Sequence, residues 1–319
     1  MARFHFLQCI FLALSLFISA CPAEAQSLEA IKGKVPDGYN FWLSEPKKDQ
    51  GVPLKPLVIF LHGASLSGND LNRVLRYGTL DAIKRGLNLD AYVMAPQTRG
   101  AWQPKKVMAD LDYVLERHDD IDTTRIYVVG MSLGGYGSID VANAYPHRIA
   151  AALSFCGGGT GKDFSGLSQV PIWIIHGTAD RAVPISRSDA VANSLKKISG
   201  DSLRLIYDRV PGMNHGQPAR FFYVPQFYEW LFRHSLSDPG RPIAEGFKVD
   251  NSLTAGIYRK LPGSELITVI DDGANLQQEL INSFIPAGFD GDAFEGIIIE
   301  NEIEAEEMDS SIAKPEDTE

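Results

Sequence analysis

The chain has 319 residues, 45% hydrophobic and 22% charged, with a net charge of -10 at neutral pH. That composition excludes wholesale disorder, collagen-like repeats and a multi-span membrane protein, and it allows one or two domains. The acidity argues against a nucleic-acid partner, which needs clustered Lys and Arg. Most of it is local, since 18 Asp and Glu stand against 5 Lys and Arg from Gly240 onward, so it belongs to a C-terminal extension.

Residues 1–25 read as an export signal. Arg3 opens a short n-region, residues 10–18 form an apolar h-region, and Ala23, Glu24 and Ala25 place small residues before a cut at Gln26. The apolar run is shorter than the ~20 residues a membrane span requires, so no transmembrane helix is expected. Residues 18–21, Ile-Ser-Ala-Cys, also resemble a bacterial lipobox. Two routes stay open, cleavage after Ala25 or a lipid anchor at Cys21, and both make the mature chain secreted, periplasmic or surface-held. With Cys9 and Cys21 counted in the signal, Cys156 is the one cysteine left, so neither an internal disulfide nor a cysteine-based metal site is expected.

From residue 27 to 235, short runs rich in Val, Ile, Phe and Tyr alternate with longer amphipathic stretches, the pattern of strand-helix units in a parallel sheet. The expected class is α/β, a mostly parallel, doubly wound sheet with helices on both faces. In chain order, 38–43 supplies an antiparallel edge strand and 57–61 the first central strand. A helix is expected over 71–86, then a strand over 91–95, a helix over 106–118 and a strand over 125–129. Further helices are read at 133–144, 186–199 and 225–234, and strands at 150–155, 171–175 and 203–207. The strands are apolar at consecutive positions, as expected when helices cover both faces.

Chemistry concentrates where strands end. Gly130-Met131-Ser132-Leu133-Gly134 lies between a strand and a helix. A serine hydroxyl is a weak nucleophile and must be exposed to a base beside amides that stabilise an oxyanion, which a sharp strand-to-helix turn arranges. Ser132 is therefore the expected nucleophile, its bland alternative being a helix cap. Asp180 follows the strand 171–175 and is the expected acid, with Asp189 a weaker rival. His215, in Gly212-Met213-Asn214-His215-Gly216, follows the next strand and is the expected base. His234, at a helix end, suits a contact with the helix dipole. The oxyanion hole is expected from the amides of Leu133 and Ala64, the latter in the loop after 57–61. His62 and His176 read as loop-tying side chains. Ser65, Gln97 and Trp102 lie after strands on the same edge and are candidate substrate contacts, Trp102 by stacking on a ring or else by packing beneath a loop.

These segments resemble an extracellular branch of the α/β-hydrolase superfamily: dienelactone-hydrolase and prolyl-oligopeptidase-like esterases, feruloyl and acetylxylan esterases, and polyhydroxybutyrate depolymerases. The resemblance runs from about Gly51 to His234. It rests on Phe60-Leu61-His62-Gly63, Gly130 to Gly135, Cys156-Gly157-Gly158-Gly159, Trp173 to Gly177 with Asp180, and His215. It implies the α/β-hydrolase fold without a large cap domain, the same nucleophile, acid and base, and no metal or organic cofactor.

The turn cluster 237–242 marks the expected boundary of a catalytic domain, 26–239. Beyond it a strand at 265–270, a helix at 275–284 and a strand at 295–299 would make 240–299 an extension or small subdomain with no assigned partner, and 300–319 reads as a disordered acidic tail. The expected activity is a serine carboxylesterase acting on small-molecule or polymer-borne esters. A serine peptidase would use the same triad but lacks a recognisable propeller domain, and a non-catalytic binding module would be signalled by a broken triad.

Overall fold

A computed structural model describes residues 26–47, 54–200, 203–257, 261 and 268–270. The leader with Cys21, the helix expected at 275–284, the strand at 295–299 and the tail 300–319 lie outside the described residues.

The sheet consists of β1 (Ser27–Ile31), β2 (Asn40–Glu45), β3 (Lys55–Leu61), β4 (Tyr92–Gln97), β5 (Ile121–Met131), β6 (Ala151–Phe155), β7 (Ile172–Gly177), β8 (Leu205–Val210) and β9 (Thr268–Ile270). Their order is β8-β7-β6-β5-β3-β4-β2-β1-β9. The six strands from β8 to β4 run parallel. β2 is antiparallel to both β4 and β1. β2 is thus an interior strand and not the edge expected from its sequence, because β1 and then β9 continue the sheet beyond it.

Among the described residues, five helices cover the faces: α1 (Thr79–Lys84), α2 (Pro104–Leu115), α3 (Leu133–Ala144), α4 (Ser186–Ser199) and α5 (Pro225–Phe232). Alternate residues of each strand point to opposite faces. Val58 and Phe60 of β3 join Tyr127, Val129 and Met131 of β5 in a core covered by α1 and α5. Leu57, Ile59 and Leu61 join Ile126 and Val128 beneath α2, α3 and α4. Burying one such side chain contributes ~1.5–3 kcal/mol. That both faces are apolar is why these strands show no alternation in sequence.

One expected helix is broken. Residues 71–86 form a 3-10 turn at Leu71–Leu75 and then α1. Gly78 sits between them with φ of 97°, and a Cβ there would run into the Phe60 ring. The close approach of Phe60 and the left-handed backbone force the interruption.

The chain does not leave the domain at Pro239. Arg204 donates to the carbonyls of Gly240 (2.7 Å) and Arg241 (2.9 Å). The Arg241 guanidinium donates to Pro146, Ile149 and Ala150. Trp230 Nε1 donates to Ala244 O at 3.1 Å, and the Phe247 ring centroid stands 4.9 Å from those of Trp173 and Phe227. The breaker cluster is a turn within one packed unit, because residues 240–257 fill the outer surface of α5 and β7. Thr268–Ile270, within the strand expected at 265–270, pairs in parallel with β1.

Candidate active site

β3 sits where the chain reverses the direction of strand addition, with β4 on one side and β5 on the other, and the crevice outside the carboxyl ends at such a point is where ligands bind in open α/β sheets. The loops after β3, β5, β7 and β8 meet there.

Ser132 follows β5 and precedes α3. Its backbone has φ of 56° and ψ of -121°, a conformation costing ~1–3 kcal/mol in a residue with a Cβ. The turn is held by the Ser132 amide donating to Phe155 O (2.9 Å) and by the Tyr136 amide donating to Ser132 O (3.0 Å). A Cβ on Gly130 would strike the Gly134 carbonyl, and one on Gly134 the Leu61 carbonyl. The two glycines let β3, β5 and α3 close to backbone contact, which fixes the turn that carries Ser132.

Asp180 and His215 come from the loops after β7 and β8. His215 Nδ1 lies 2.7 Å from Asp180 Oδ2, and Nε2 lies 3.0 Å from Ser132 Oγ. An ionised carboxylate accepts only, so Nδ1 carries the proton and Nε2 accepts from the serine hydroxyl. Asp180 Oδ1 accepts from the amides of Ala182 (3.0 Å) and Val183 (2.8 Å), which fixes the rotation of the carboxylate. Burial alone would push its carboxyl up. Hydrogen bonds from His176 and His215, the His215 charge and the Val183 amide outweigh that and hold it at about 2.

His176 is closer to this chemistry than its sequence suggested. Its Nε2 faces Val183 O at 2.9 Å and Asp180 Oδ2 at 3.2 Å, both acceptors, so this nitrogen carries a proton. The carboxylate oxygen that orients His215 is thus also held from a second side by a fully buried ring. On the far edge, Nδ1 lies 2.8 Å from Ser188 Oγ, which contacts Gly157 O at 2.7 Å. A His-Gly-x-x-Asp spacing after a strand was the available signal, because it puts the imidazole within reach of the loop carboxylate.

Among the described residues, the amides of Ala64 and Leu133 have no hydrogen-bond partner, and both residues are part-exposed. Ala64 begins a 3-10 turn after β3 and Leu133 begins α3. Unpaired amides are the raw material of an oxyanion hole.

The remaining sequence candidates serve the scaffold. His62 is fully buried, with Nδ1 2.7 Å from Gly63 O and Nε2 accepting from the Thr98 amide at 3.1 Å, so it ties the β3 loop to the β4 loop. Burial lowers it to about 4, against a raising contribution from the Gly63 carbonyl, and the ring is neutral. Trp102 does not offer a stacking face. It is buried, donates from Nε1 to His62 O at 3.2 Å and packs edge-on against Tyr39 and His62. Gln97 donates to the carbonyls of Leu66 and Asp70. Ser65 Oγ lies 3.1 Å from Tyr77 Oη. Trp102 thus takes the second of its two expected roles, packing beneath a loop, and the polar contacts of Gln97 and Ser65 go to the loops that pass close over the sheet edge. Asp189 accepts from Tyr207 Oη (2.8 Å) and stands apart from His215's partners. His234 donates to Leu231 O and accepts from the Ala244 amide at 2.9 Å, so it caps α5 as a ring whose protonation burial disfavours.

The fold, then, is that of the α/β hydrolases. Comparison with known proteins agrees at two levels. A family model described as phospholipase/carboxylesterase matches residues 104–226, the stretch that holds Ser132, Asp180 and His215. Among solved structures the chain is similar to a thermostable esterase, at 25% sequence identity and a TM-score of 0.53, over 67% of this chain. The chain spans 64% of the length of that esterase.

Proposed function

We propose that the chain is an exported serine carboxylesterase working through an acyl-enzyme. The observation that carries this reading is the continuous hydrogen-bond path from Ser132 through His215 to Asp180. His215 Nε2 takes the Ser132 proton as Oγ attacks the ester carbonyl, and Asp180 stabilises the resulting imidazolium. The Ala64 and Leu133 amides receive the oxyanion, and His215 returns the proton to the leaving alcohol. Water, activated by the same histidine, then releases the acid.

The similarity to a phospholipase/carboxylesterase family and to a thermostable esterase supports ester over amide hydrolysis. Export rests on the composition of residues 1–25, with cleavage after Ala25 or lipid attachment at Cys21. Among the described residues no helix is long and apolar enough to cross a membrane. The connection between β6 and β7, which carries one 3-10 turn, Leu167–Gln169, and no helix to roof the crevice, supports a bulky or polymer-borne ester as the substrate class. An unroofed crevice lets a bulky alcohol such as a substituted polysaccharide stay in solvent while its ester enters. The test is a panel of short acyl, feruloyl and acetyl-sugar esters beside aminoacyl and peptide substrates, run with wild type and Ser132→Ala. Turnover of soluble esters that vanishes in the variant is expected. Preferential cleavage of peptides, or a sharp rise in rate only when a long-chain ester passes its solubility limit, would overturn the assignment.

A further inference from the structure

Cys156 stands directly behind the triad. It follows β6 with a left-handed backbone (φ 40°), is fully buried, is in no disulfide, and its Sγ lies 4.0 Å from the His215 carbonyl oxygen. Its Sγ, a carboxylate oxygen of Asp180 and a ring nitrogen of His215 all lie within 4.8 Å of one another. Counting cysteines gave no reason to expect a metal site, but a mixed set needs only one thiol. The geometry points to a site for a thiophilic divalent cation of the zinc type, bound by Cys156 Sγ, Asp180 Oδ2 and His215 Nδ1, whose occupation switches the triad off.

The donor set suits such an ion in three respects. Thiolate, imidazole and carboxylate are the zinc donors, and three protein ligands with one open position is a common zinc arrangement. Ligands at about 2.0–2.3 Å from a tetrahedral ion stand about 3.6 Å apart, so these groups need move only on the order of 1 Å. The charges also balance: a thiolate and a carboxylate neutralise the dication, which avoids leaving net charge in a buried place.

Binding has a defined proton account. The Cys156 thiol gives one proton to solvent as the metal-sulfur bond forms. The cation takes the place of the hydrogen bond between Nδ1 and Oδ2, and the imidazole proton moves from Nδ1 to Nε2. Nε2 then donates towards Ser132 Oγ and can no longer accept from it. The base is lost without any change at the serine.

This inference rests on the esterase reading for its consequence but not for its binding step, so the two can fail separately. The first arm titrates the full chain with Zn2+ by calorimetry and with Co2+ by absorption, in wild type, Cys156→Ala and Cys156→Ser. One ion per chain, release of one proton, a cobalt-thiolate band, and affinity at least tenfold weaker in both variants are expected. The two variants differ in size and polarity, so whichever folds carries the comparison. Equal binding by wild type and variants, or no thiolate band, overturns the site whether or not any ester is hydrolysed. The second arm follows ester hydrolysis with rising Zn2+ and then chelator. Wild type should be inhibited and recover on chelation, and the variants should need at least tenfold more Zn2+. Equal sensitivity of wild type and variants overturns the switch and leaves the esterase assignment standing.

Discussion

Asp180→Asn isolates the role of the triad acid, because the structure dictates how the amide must sit. Oδ1 accepts from two backbone amides, Ala182 and Val183. The asparagine carbonyl must take that position, since an NH2 group there would meet two donors. The NH2 is therefore forced to the Oδ2 position, 2.7 Å from His215 Nδ1. A donor now faces Nδ1, so the ring adopts the tautomer with the proton on Nε2 and cannot accept from Ser132. The equivalent tautomer error in serine hydrolases costs about 10⁴ in kcat, or about 5.4 kcal/mol in the barrier. The same NH2 opposes the His176 Nε2 proton, so a loss of stability of ~1–3 kcal/mol is expected as well. Steady-state kinetics on a soluble short-chain ester near neutral pH, with a thermal melt to show folded protein, would measure both. A folded variant with kcat within about tenfold of wild type would refute the argument, because some other group would be orienting His215.

Other expectations follow from the same geometry. His176→Ala should lower kcat roughly hundredfold with little change in KM, with part of the loss recovered in His176→Gln, since a displaced carboxylate misplaces the base; rates within twofold of wild type would remove His176 from the mechanism. His62, held at about 4 against an ordinary 6.5, is a base whose folded-state value is depressed, so its contribution is fully present above pH 6.5 and is lost as pH falls towards 4. Chemical denaturation across that range should show about 3 kcal/mol lost, and a Thr98–His62 tie insensitive to acid would contradict it. Asp180, held at about 2, stays ionised throughout the same window, so no acid fall in kcat there comes from this carboxylate. A chain ended at Pro239 should be insoluble or melt much earlier, because it loses the Arg241 and Phe247 contacts; full stability would contradict the packing of 240–257.

How much was legible in advance depended on what kind of force fixes each element. α3 and α4 begin and end where their sequence patterns do, because local propensity and the apolar stripe agree there. That Ser132, Asp180 and His215 would come together was legible because each sits in a short loop whose spacing from a strand is imposed by the turn. The break at Gly78 was not, since it is caused by Phe60, distant in sequence. β1 was missed because five residues beside a leader carry little pattern. The packing of 240–257 was hidden behind a breaker cluster that elsewhere would end a domain. Trp102, Gln97 and Ser65 look functional by position, and only their hydrogen bonds show that they hold up the loops. For His176 the signal was local, the His-Gly-x-x-Asp spacing, but its weight depends on a 3.2 Å distance that the spacing does not give; for Cys156 the decisive fact is its distance to groups in the loops after other strands, which no one-dimensional pattern carries.

The central claim is that Ser132 is a nucleophile activated by His215. It is tested most directly by incubating the full chain with a fluorophosphonate and locating the adduct by peptide mass spectrometry. One stoichiometric adduct on Ser132 is expected, forming much more slowly in Asp180→Asn and absent in Ser132→Ala. Labelling at another residue, or none while esters are still hydrolysed, would contradict the account.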